Sequence, residues 1–320
     1  MVSKKKGAGS TKRNLKKTKQ NSRRRACGCI QAHFGLLDKH PEFRFKKADI
    51  ESFTANCRRA GNSSYRQGVI KIPVVVHVLY RTKTENISDN QIKSQITALN
   101  KDFRAKNTDV SKVPAPFKTY VSDARVEFTL AKKDPKGKPT KGITRTKTAN
   151  HSFGIDDEVK SPKTGGVNPW DTANYLNIWV CTLGGGLLGY AQFPGGPKET
   201  DGVVVLNTAF GTNGTAAAPF NKGRTTTHEI GHFLNLSHIW GESLVPTCTD
   251  SDYVDDTPNQ FGPNYGEPSF PSSSCSNSPD GDMFMNYMDY VDDKAMFMFT
   301  NDQVERMQAA LAGPRKELGA

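Results

Sequence analysis

The sequence predicts an α+β fold in which strands and helices come first, a histidine-bearing helix stands at the centre, and a loop-rich part follows. Three observations predict it. Four short apolar segments, rich in β-branched or aromatic residues, are typical of buried strands. Two further segments have helical periodicity, and residues rich in Pro, Ser, Asn and Asp follow the central helix. A chain of 320 residues can build one large domain or two modest ones.

The elements are predicted in chain order from local patterns. Strands are predicted in VIKIPVVVHVLY, ARVEFTLAK, YLNIWVCTL and DGVVVLN. The segment SDNQIKSQITALNKDFRAKN predicts an amphipathic helix, with Ser88 as N-cap and with Ile92 and Leu99 on one face. NDQVERMQAALA predicts a closing helix capped by Thr300 or Asn301. GGGLLGYAQFPGGP is predicted to be a glycine-rich loop, and it lacks the Lys-Ser/Thr ending of a phosphate-binding loop.

Positive charge is concentrated at the N-terminus. The net charge is +12, but residues 1–25 hold eleven Lys or Arg and no acid, so the rest of the chain is nearly neutral. Residues 1–26 therefore predict a disordered basic arm, with binding of an anionic partner or a nuclear address as the alternative. The arm lacks the apolar stretch of a secretory signal, and no apolar run approaches the roughly 18 residues of a membrane helix.

Residues 27–59 have a helical pattern that Pro41 interrupts. The segment ends at Arg58 and Arg59, before the turn-like sequence AGNSS. A dibasic pair in a flexible loop is a candidate site of proteolytic processing.

The motif His228–Glu229–Ile230–Gly231–His232 predicts a metal site. Residues four apart on a helix lie one turn apart on one face, so both imidazoles can reach one zinc ion. Glu229 can take the proton of a water whose pKa zinc lowers, and can then pass it to a leaving amine. This short motif also arises by chance, and on its own it leaves a surface histidine pair as the alternative.

A third histidine strengthens this prediction. His238 lies six residues after His232, about 600° further round a helix, so it cannot share the face of the first two. The backbone must leave the helix and turn back, which a left-handed residue allows. Asparagine is the best substitute for glycine in that conformation, and Asn235 stands at the place. The sequence thus predicts that the backbone reverses at Asn235.

This string of residues resembles the metzincin zinc signature, with Asn235 where glycine is usual. Met288, in MNYMDY, matches the methionine that metzincins place in a tight turn under the metal, although a core methionine is the alternative. Most of residues 27–320 is similar to the pappalysin family, through YLNIWVC, GGLLGYAQFPG, GRTTTHEIGHFLNLSHIWG, VDDTPNQ, DMFMNYMDYVDD and FTNDQVERM. The resemblance implies a metalloendopeptidase with zinc and structural calcium, acting on protein or peptide substrates.

The resemblance also implies a domain organisation. An inhibitory prosegment over residues 27–59 precedes a metallopeptidase domain over residues 60–320. The upper subdomain, residues 60–238, is expected to hold a twisted mixed β-sheet with a backing helix and the active-site helix. The lower subdomain, residues 239–320, is expected to be loop-rich, with the methionine turn and a C-terminal helix.

The resemblance also implies roles for Tyr290 and Asp293, which both follow the methionine turn. Tyr290 is expected to lie near the zinc and to donate a hydrogen bond to the oxyanion, with a buried structural tyrosine as the alternative. Asp293 matches the base of the pocket for the residue after the scissile bond. A buried carboxylate there selects Arg, or less well Lys. The alternative is an exposed acid in the Asp292–Asp293 pair.

An acidic loop predicts a calcium site, because calcium prefers oxygen ligands. By resemblance the ligands are Asp252, the Val254 carbonyl, Asp256 and Thr257, with a merely solvated acidic loop as the alternative.

The six cysteines are too sparse for a disulfide scaffold. By resemblance Cys248 and Cys275 form a disulfide, and a second family disulfide is absent because Ala295 replaces one of its cysteines. Cys27 resembles the zymogen cysteine whose thiolate occupies the open zinc position. Cys29 replaces the family's usual Thr, which leaves open which of the two thiols serves.

Two other functions are alternatives to a peptidase. An inactive zincin used as a binding module would need a lost ligand or base, and the signature has lost none. Nucleic-acid binding through the arm is disfavoured, because the arm contains neither aromatic residues nor a groove-reading motif. Resemblance and the expected disulfide favour an extracellular monomer, although the sequence leaves localisation open.

Overall fold

The computed structural model describes residues 24–61, 65–243, 245–276 and 279–319. The prediction of a basic arm over residues 1–26 falls mostly outside these residues. Within them, no helix has the length and apolar character needed to cross a membrane.

The upper part of the molecule is a mixed β-sheet. Its strands in the described residues are β1 Ile70–Tyr80, β2 Val126–Leu130, β3 Ile143–Lys147, β4 Leu176–Cys181, β5 Gly189–Ala191 and β6 Val203–Leu206. The order is β2-β1-β4-β6-β5, and β3 also pairs with β1. All pairs are parallel except β5 with β6, which makes β5 an antiparallel edge strand. The sheet thus combines a buried parallel centre with one edge free to pair with another chain segment.

Five α-helices in the described residues pack around this sheet: α1 Cys29–Lys39, α2 Glu42–Ala60, α3 Asp89–Asp102, α4 Arg224–Phe233 and α5 Asn301–Ala312. The side chain of Ser88 caps α3, and Thr300 caps α5 in a capping box with Gln303. Helix α4 packs against β5, β6 and α3, while α1 packs on β5 and α2 on α5. Of the N-terminal helices, α1 therefore lies beside the edge strand and α2 lies beside α5.

The described residues between α4 and α5 form loops and isolated bridges around a methionine- and phenylalanine-rich core. The disulfide Cys248–Cys275 is present in this part, with Cα atoms 5.7 Å apart. The α+β class, the mixed sheet and the loop-rich lower part are confirmed.

The structure corrects three expectations. Part of the glycine-rich segment is strand β5, which is too short to show a strand pattern. Gly189 is required there because a Cβ would lie 2.8 Å from both the Glu229 carboxylate and the Val204 carbonyl. Strand β3 was not predicted, since its residues are polar and partly exposed. Arg58 and Arg59 lie in the last turn of α2, not in a loop, because Arg58 pairs with Asp302 of α5 at 2.7 Å.

Candidate active site

Helix α4 places His228 and His232 one turn apart, and both are fully buried. The Nδ1 of His228 bonds to the Tyr287 carbonyl and that of His232 to the Leu236 carbonyl, each at 2.7 Å. These bonds turn both Nε2 atoms toward a common point. Burial lowers the pKa of both imidazoles, to about 4 for His232, so both are neutral at physiological pH and can bind a metal.

His238 completes the cluster. Its Nε2 lies 3.1 Å from that of His232, which in turn lies 3.2 Å from that of His228. Two ligands about 2.0–2.1 Å from a tetrahedral zinc are separated by about 3.3 Å. The two separations from His232 therefore match those expected of imidazoles that share one zinc ion.

The backbone reversal that brings His238 inward occurs at Asn235. Helix α4 ends at Phe233, and Asn235 has a φ of 74°, the left-handed conformation that the sequence predicts. The Nε and one terminal nitrogen of Arg306 donate to the Asn235 carbonyl at 3.3 and 3.1 Å. Helix α5 thus holds the turn, a role that no pattern in the sequence indicates.

Met288 lies fully buried directly beneath α4. A Cβ on Gly231 would lie 2.4 Å from its sulfur, so only glycine leaves room for it between the two helical histidines. The Asn286 side chain accepts a hydrogen bond from the Met288 amide at 2.9 Å. This turn also supplies the Tyr287 carbonyl that orients His228.

Glu229 is buried beside the histidines. Its Oε2 accepts hydrogen bonds from the Cys29 thiol at 2.9 Å and from the Cys27 thiol at 3.3 Å. Burial raises the pKa of the carboxyl to about 7, and the two thiols oppose this rise. Among the described residues, the ligand atoms of Cys27, His228, His232 and His238 lie within 4.8 Å of one another, close enough to share one metal.

The N-terminal segment reaches the cluster by pairing with the sheet edge. Cys27 forms a parallel bridge with Gly189 of β5, and the Gly28 amide donates to the Gly189 carbonyl at 2.9 Å. The Tyr290 hydroxyl donates to the Cys27 carbonyl at 3.3 Å. The tyrosine ring lies edge-on to His238, with centroids 5.0 Å apart. Tyr290 is therefore near the metal site but engaged with the N-terminal segment.

Asp293 is fully buried, which excludes an exposed acid. Its Oδ1 accepts a hydrogen bond from the Arg25 guanidinium at 2.7 Å, and its Oδ2 accepts from the Lys222 amide at 2.7 Å. Arg25 is itself buried and also donates to the Val291 carbonyl at 3.1 Å. The sequence predicts that Arg25 belongs to a disordered basic arm, and this prediction is wrong for Arg25, because its guanidinium is buried against Asp293.

Arg224, at the start of α4, was also missed. One of its terminal nitrogens donates to the Asp109 carboxylate at 2.7 Å and to the Asp293 carbonyl at 3.0 Å. The same nitrogen reaches the Met296 carbonyl at 2.6 Å. Arg224 therefore ties the metal-site helix to the segment that carries Asp293.

The acidic loop is brought together only in part. Thr257 donates its hydroxyl to Asp252 at 2.7 Å, and the Val254 amide lies 3.4 Å from the same carboxylate. One oxygen of Asp256 accepts from the Asp302 amide at 3.0 Å, and the other is buried without a described partner. Asp252 and Thr257 are thus in contact with each other, whereas Asp256 is held at the start of α5.

The backbone reversal after α4 brings His238 to the other two histidines, above the methionine turn. Beside a mixed sheet, this arrangement is that of a zinc metallopeptidase of the metzincin type. Comparison with known proteins gives the family. Residues 163–312 match the family described as Pregnancy-associated plasma protein-A. The chain belongs to this family, the pappalysins.

Individual relatives are similar to this chain over most of its length. An extracellular metalloprotease of Arthroderma benhamiae is 32% identical, covering 88% of this chain and 89% of its own length. A promirolysin mutant from Tannerella forsythia is 45% identical with a TM-score of 0.84, covering 92% of this chain and 96% of its own. Mature mirolysin of Tannerella forsythia with a cleaved peptide is 47% identical with a TM-score of 0.74, covering 80% and 100%. The protein is a zinc metalloendopeptidase of this type.

Proposed function

We propose that this endopeptidase is made as a latent zymogen and cleaves on the amino side of Arg, and less well of Lys. The observation that carries the preference is the Arg25–Asp293 ion pair, whose side chains are 1% and 0% exposed. A guanidinium is thus accommodated in a buried site beside the histidine cluster, and a substrate arginine offers the same group. Lysine offers one point charge and pairs less well.

The proposed roles at the centre follow from the geometry above. His228, His232 and His238 would hold zinc, which when bound supplies a Lewis acid for the scissile carbonyl and lowers the pKa of water. Glu229 takes the proton of the attacking water and passes it to the leaving amine nitrogen. Once the N-terminal segment has left, the Tyr290 hydroxyl is free to donate to the oxyanion.

Latency is supported by the two thiols at the centre. Cys27 would be the fourth zinc ligand, since its sulfur lies with the three imidazoles. Cys29 would act on the base instead, because its thiol donates to Glu229 at 2.9 Å and accepts from the Ala191 amide at 3.0 Å. We assign the switch itself to Cys27 and assign Cys29 to a second contact that keeps water from Glu229.

Two serine variants test this assignment. We expect Cys27→Ser to show activity without prior processing, because a hydroxyl is a poorer zinc ligand than a thiolate. Cys29→Ser should stay latent, since serine can still donate to Glu229. The measurement is initial hydrolysis of a quenched peptide containing Arg, with the intact chain verified by mass spectrometry. Cys181→Ser is the matched control, since Cys181 lies buried in β4. Full latency of Cys27→Ser would contradict the assignment.

The prosegment is proposed to span residues 27–59. Promirolysin covers 92% of this chain and mature mirolysin 80%, which supports an additional segment of this kind. Helix α2 is fastened to the catalytic domain by Glu51, which pairs with Arg306 at 2.9 Å, and by Lys47, which pairs with Glu242 at 2.7 Å. Release of the prosegment therefore requires these pairs to break as well as the chain to be cut.

N-terminal sequencing tests the zymogen proposal. After incubation with zinc and calcium, we expect a new N-terminus at Arg58, Arg59 or Ala60 that is absent from Glu229→Ala. Because Arg58 is held in α2, processing should be slow until the helix end opens. A fully active protein that keeps its original N-terminus would contradict the proposal.

Calcium is proposed at Asp252, the Val254 carbonyl, Asp256 and Thr257. Burial raises the pKa of Asp252 to about 7 and also raises the pKa of Asp256. Bound calcium would hold both carboxylates in the charged form despite their burial.

This site predicts a pH-dependent effect of calcium removal. The folded pKa of Asp252 is raised, so its contribution to stability is present at low pH and is lost as pH rises through about 7. In EGTA with zinc added back, the unfolding free energy of the parent should fall by about 1.4 kcal/mol more than that of Asp252→Asn from pH 6 to pH 8, because the other buried carboxyls titrate in both proteins. Saturating calcium should remove this difference. Asp255→Asn is the control, because its side chain is 92% exposed. Equal stability with and without calcium at both pH values would exclude the site.

The relatives named extracellular metalloproteases support an extracellular location. We propose that the protein acts there as a monomer on protein or peptide substrates and needs no nucleic acid.

A further inference from the structure

The third histidine of the cluster is held differently from the other two. His228 and His232 each bond through Nδ1 to a backbone carbonyl at 2.7 Å. Within the part of the chain that the structure describes, the Nδ1 of His238 has no such protein partner. A hydrogen bond at Nδ1 normally fixes the ring orientation of a metal-binding histidine. Among the described residues, no hydrogen bond at Nδ1 is therefore available to fix the ring of His238.

The contact that His238 does make is with Trp240. The two rings are stacked, with centroids 4.4 Å apart and planes 4° from parallel. Because Nε2 lies off the Cβ–Cγ axis, rotation about that bond would swing the nitrogen away from the metal. It would also drive the edge of the imidazole into the indole face. The stack therefore restricts the one torsion that the missing hydrogen bond leaves free.

Trp240 also supports the neighbouring tyrosine. Its ring meets that of Tyr290 edge-on, with centroids 4.8 Å apart and planes at 84°. Tyr290 in turn lies edge-on to His238, at 87°. The three rings form a mutually packed group, defined here as the aromatic triad of His238, Trp240 and Tyr290. Such contacts are favourable beyond the area they bury, and each ring limits the movement of the other two.

Trp240 is half-buried, since the triad borders a cavity of about 290 Å³ lined also by Pro246, Pro263 and Tyr265. A tryptophan at the edge of a cleft could simply form its wall. A wall residue would affect the binding of substrate, whereas a residue that fixes His238 would affect the binding of metal. The two roles therefore differ in a measurable way.

We propose that Trp240 is a positioning residue for the metal site: it fixes the plane of His238 by stacking, in place of the hydrogen bond that orients each of the other two histidines. The proposal rests on the proposed zinc site. It assigns to an aromatic ring a task that is usually performed by a carbonyl or carboxylate oxygen.

The test measures metal binding in the full chain, with Glu229→Ala present throughout to prevent self-cleavage. Trp240→Leu and Trp240→Met remove the ring, and Trp240→Phe restores one. The matched control is Trp170→Leu, because Trp170 is also half-buried and edge-on to a tyrosine, Tyr175, at 5.3 Å. Zinc affinity is measured by competition with a chromophoric chelator. The geometry of the site is read from the visible d–d bands of the cobalt-substituted protein.

We expect zinc to bind about 10- to 100-fold more weakly in Trp240→Leu and Trp240→Met, the range typical of a lost orienting partner. The cobalt bands should shift or weaken in both. Trp240→Phe should recover most of the affinity, and Trp170→Leu should match the parent. If Trp240→Leu does not fold, the comparison of zinc affinity between Trp240→Met and Trp240→Phe tests the proposal. Failure of all three to fold beside a folded control would count against a positioning role.

Zinc affinity within about twofold of the parent in the ring-less variants, with unchanged cobalt bands, would overturn the proposal, since a lost orienting partner costs far more. A raised KM with unchanged metal affinity, in the active background, would then make Trp240 a cleft wall. A parent that binds no zinc would instead refute the proposed zinc site. The failure of the inference and that of the function are thus distinguishable.

Discussion

Glu229→Gln is expected to lower kcat/KM by about 10²- to 10⁴-fold, the range for loss of a general base. Glutamine keeps the shape of the side chain and accepts a hydrogen bond, but it cannot take the proton of the attacking water. Glu229 is not one of the three proposed zinc ligands. Zinc should therefore stay bound in the variant. The loss should therefore appear in turnover and not in metal content.

The measurement compares parent and variant after the prosegment has been removed from both by the same trypsin treatment. Glu242→Gln is the control, because Glu242 is a nearby carboxylate that bonds to Ser237 at 2.9 Å. Activity within tenfold of the parent, at equal zinc content, would remove Glu229 from the role of base.

Asp293→Asn is expected to lower kcat/KM for peptides with Arg after the scissile bond by about 30- to 1000-fold. That range corresponds to about 2–4 kcal/mol for a buried charge left without its partner. The carboxylate is 0% exposed and already receives the Lys222 amide, so water cannot compensate for the lost charge. Peptides with Leu at that position should be little affected, because they have no charge to pair.

The same substitution should weaken latency. Arg25 would lose the partner that holds it at 2.7 Å, and the N-terminal segment would then be held less firmly at β5. Asp292→Asn is the matched control, since Asp292 is the neighbouring acid and makes no pair with Arg25. A parent enzyme that cleaves Arg and Leu peptides equally well would contradict the proposed pocket, whatever the variant does.

The histidine cluster could be predicted from the sequence because it depends on residues that are close together in the chain. Helical spacing places His228 and His232, and one left-handed residue, Asn235, accounts for His238. The N-caps Ser88 and Thr300 were predictable for the same reason, since a cap depends on a few adjacent residues.

The supporting residues were not accessible, because they act across long separations. Arg25 meets Asp293 across 268 positions, and Arg306 meets Asn235 across 71. In the sequence alone, nothing distinguishes Arg25 and Arg306 from other basic residues, because only the fold buries them. Strand β5 could not be predicted for another reason. It has three residues, one of them glycine, and so short a segment has too little pattern to distinguish a strand from a loop.

Zinc stoichiometry of the purified full-length protein tests the central claim most directly. Elemental analysis should find one zinc per chain in the parent and in Asn235→Gly, which keeps the left-handed turn. His238→Ala should lose zinc to mild dialysis, and Asn235→Val should too, because a β-branched residue resists a φ of 74°. A parent without stoichiometric zinc, or a His238→Ala variant that keeps both its zinc and its activity, would contradict the account.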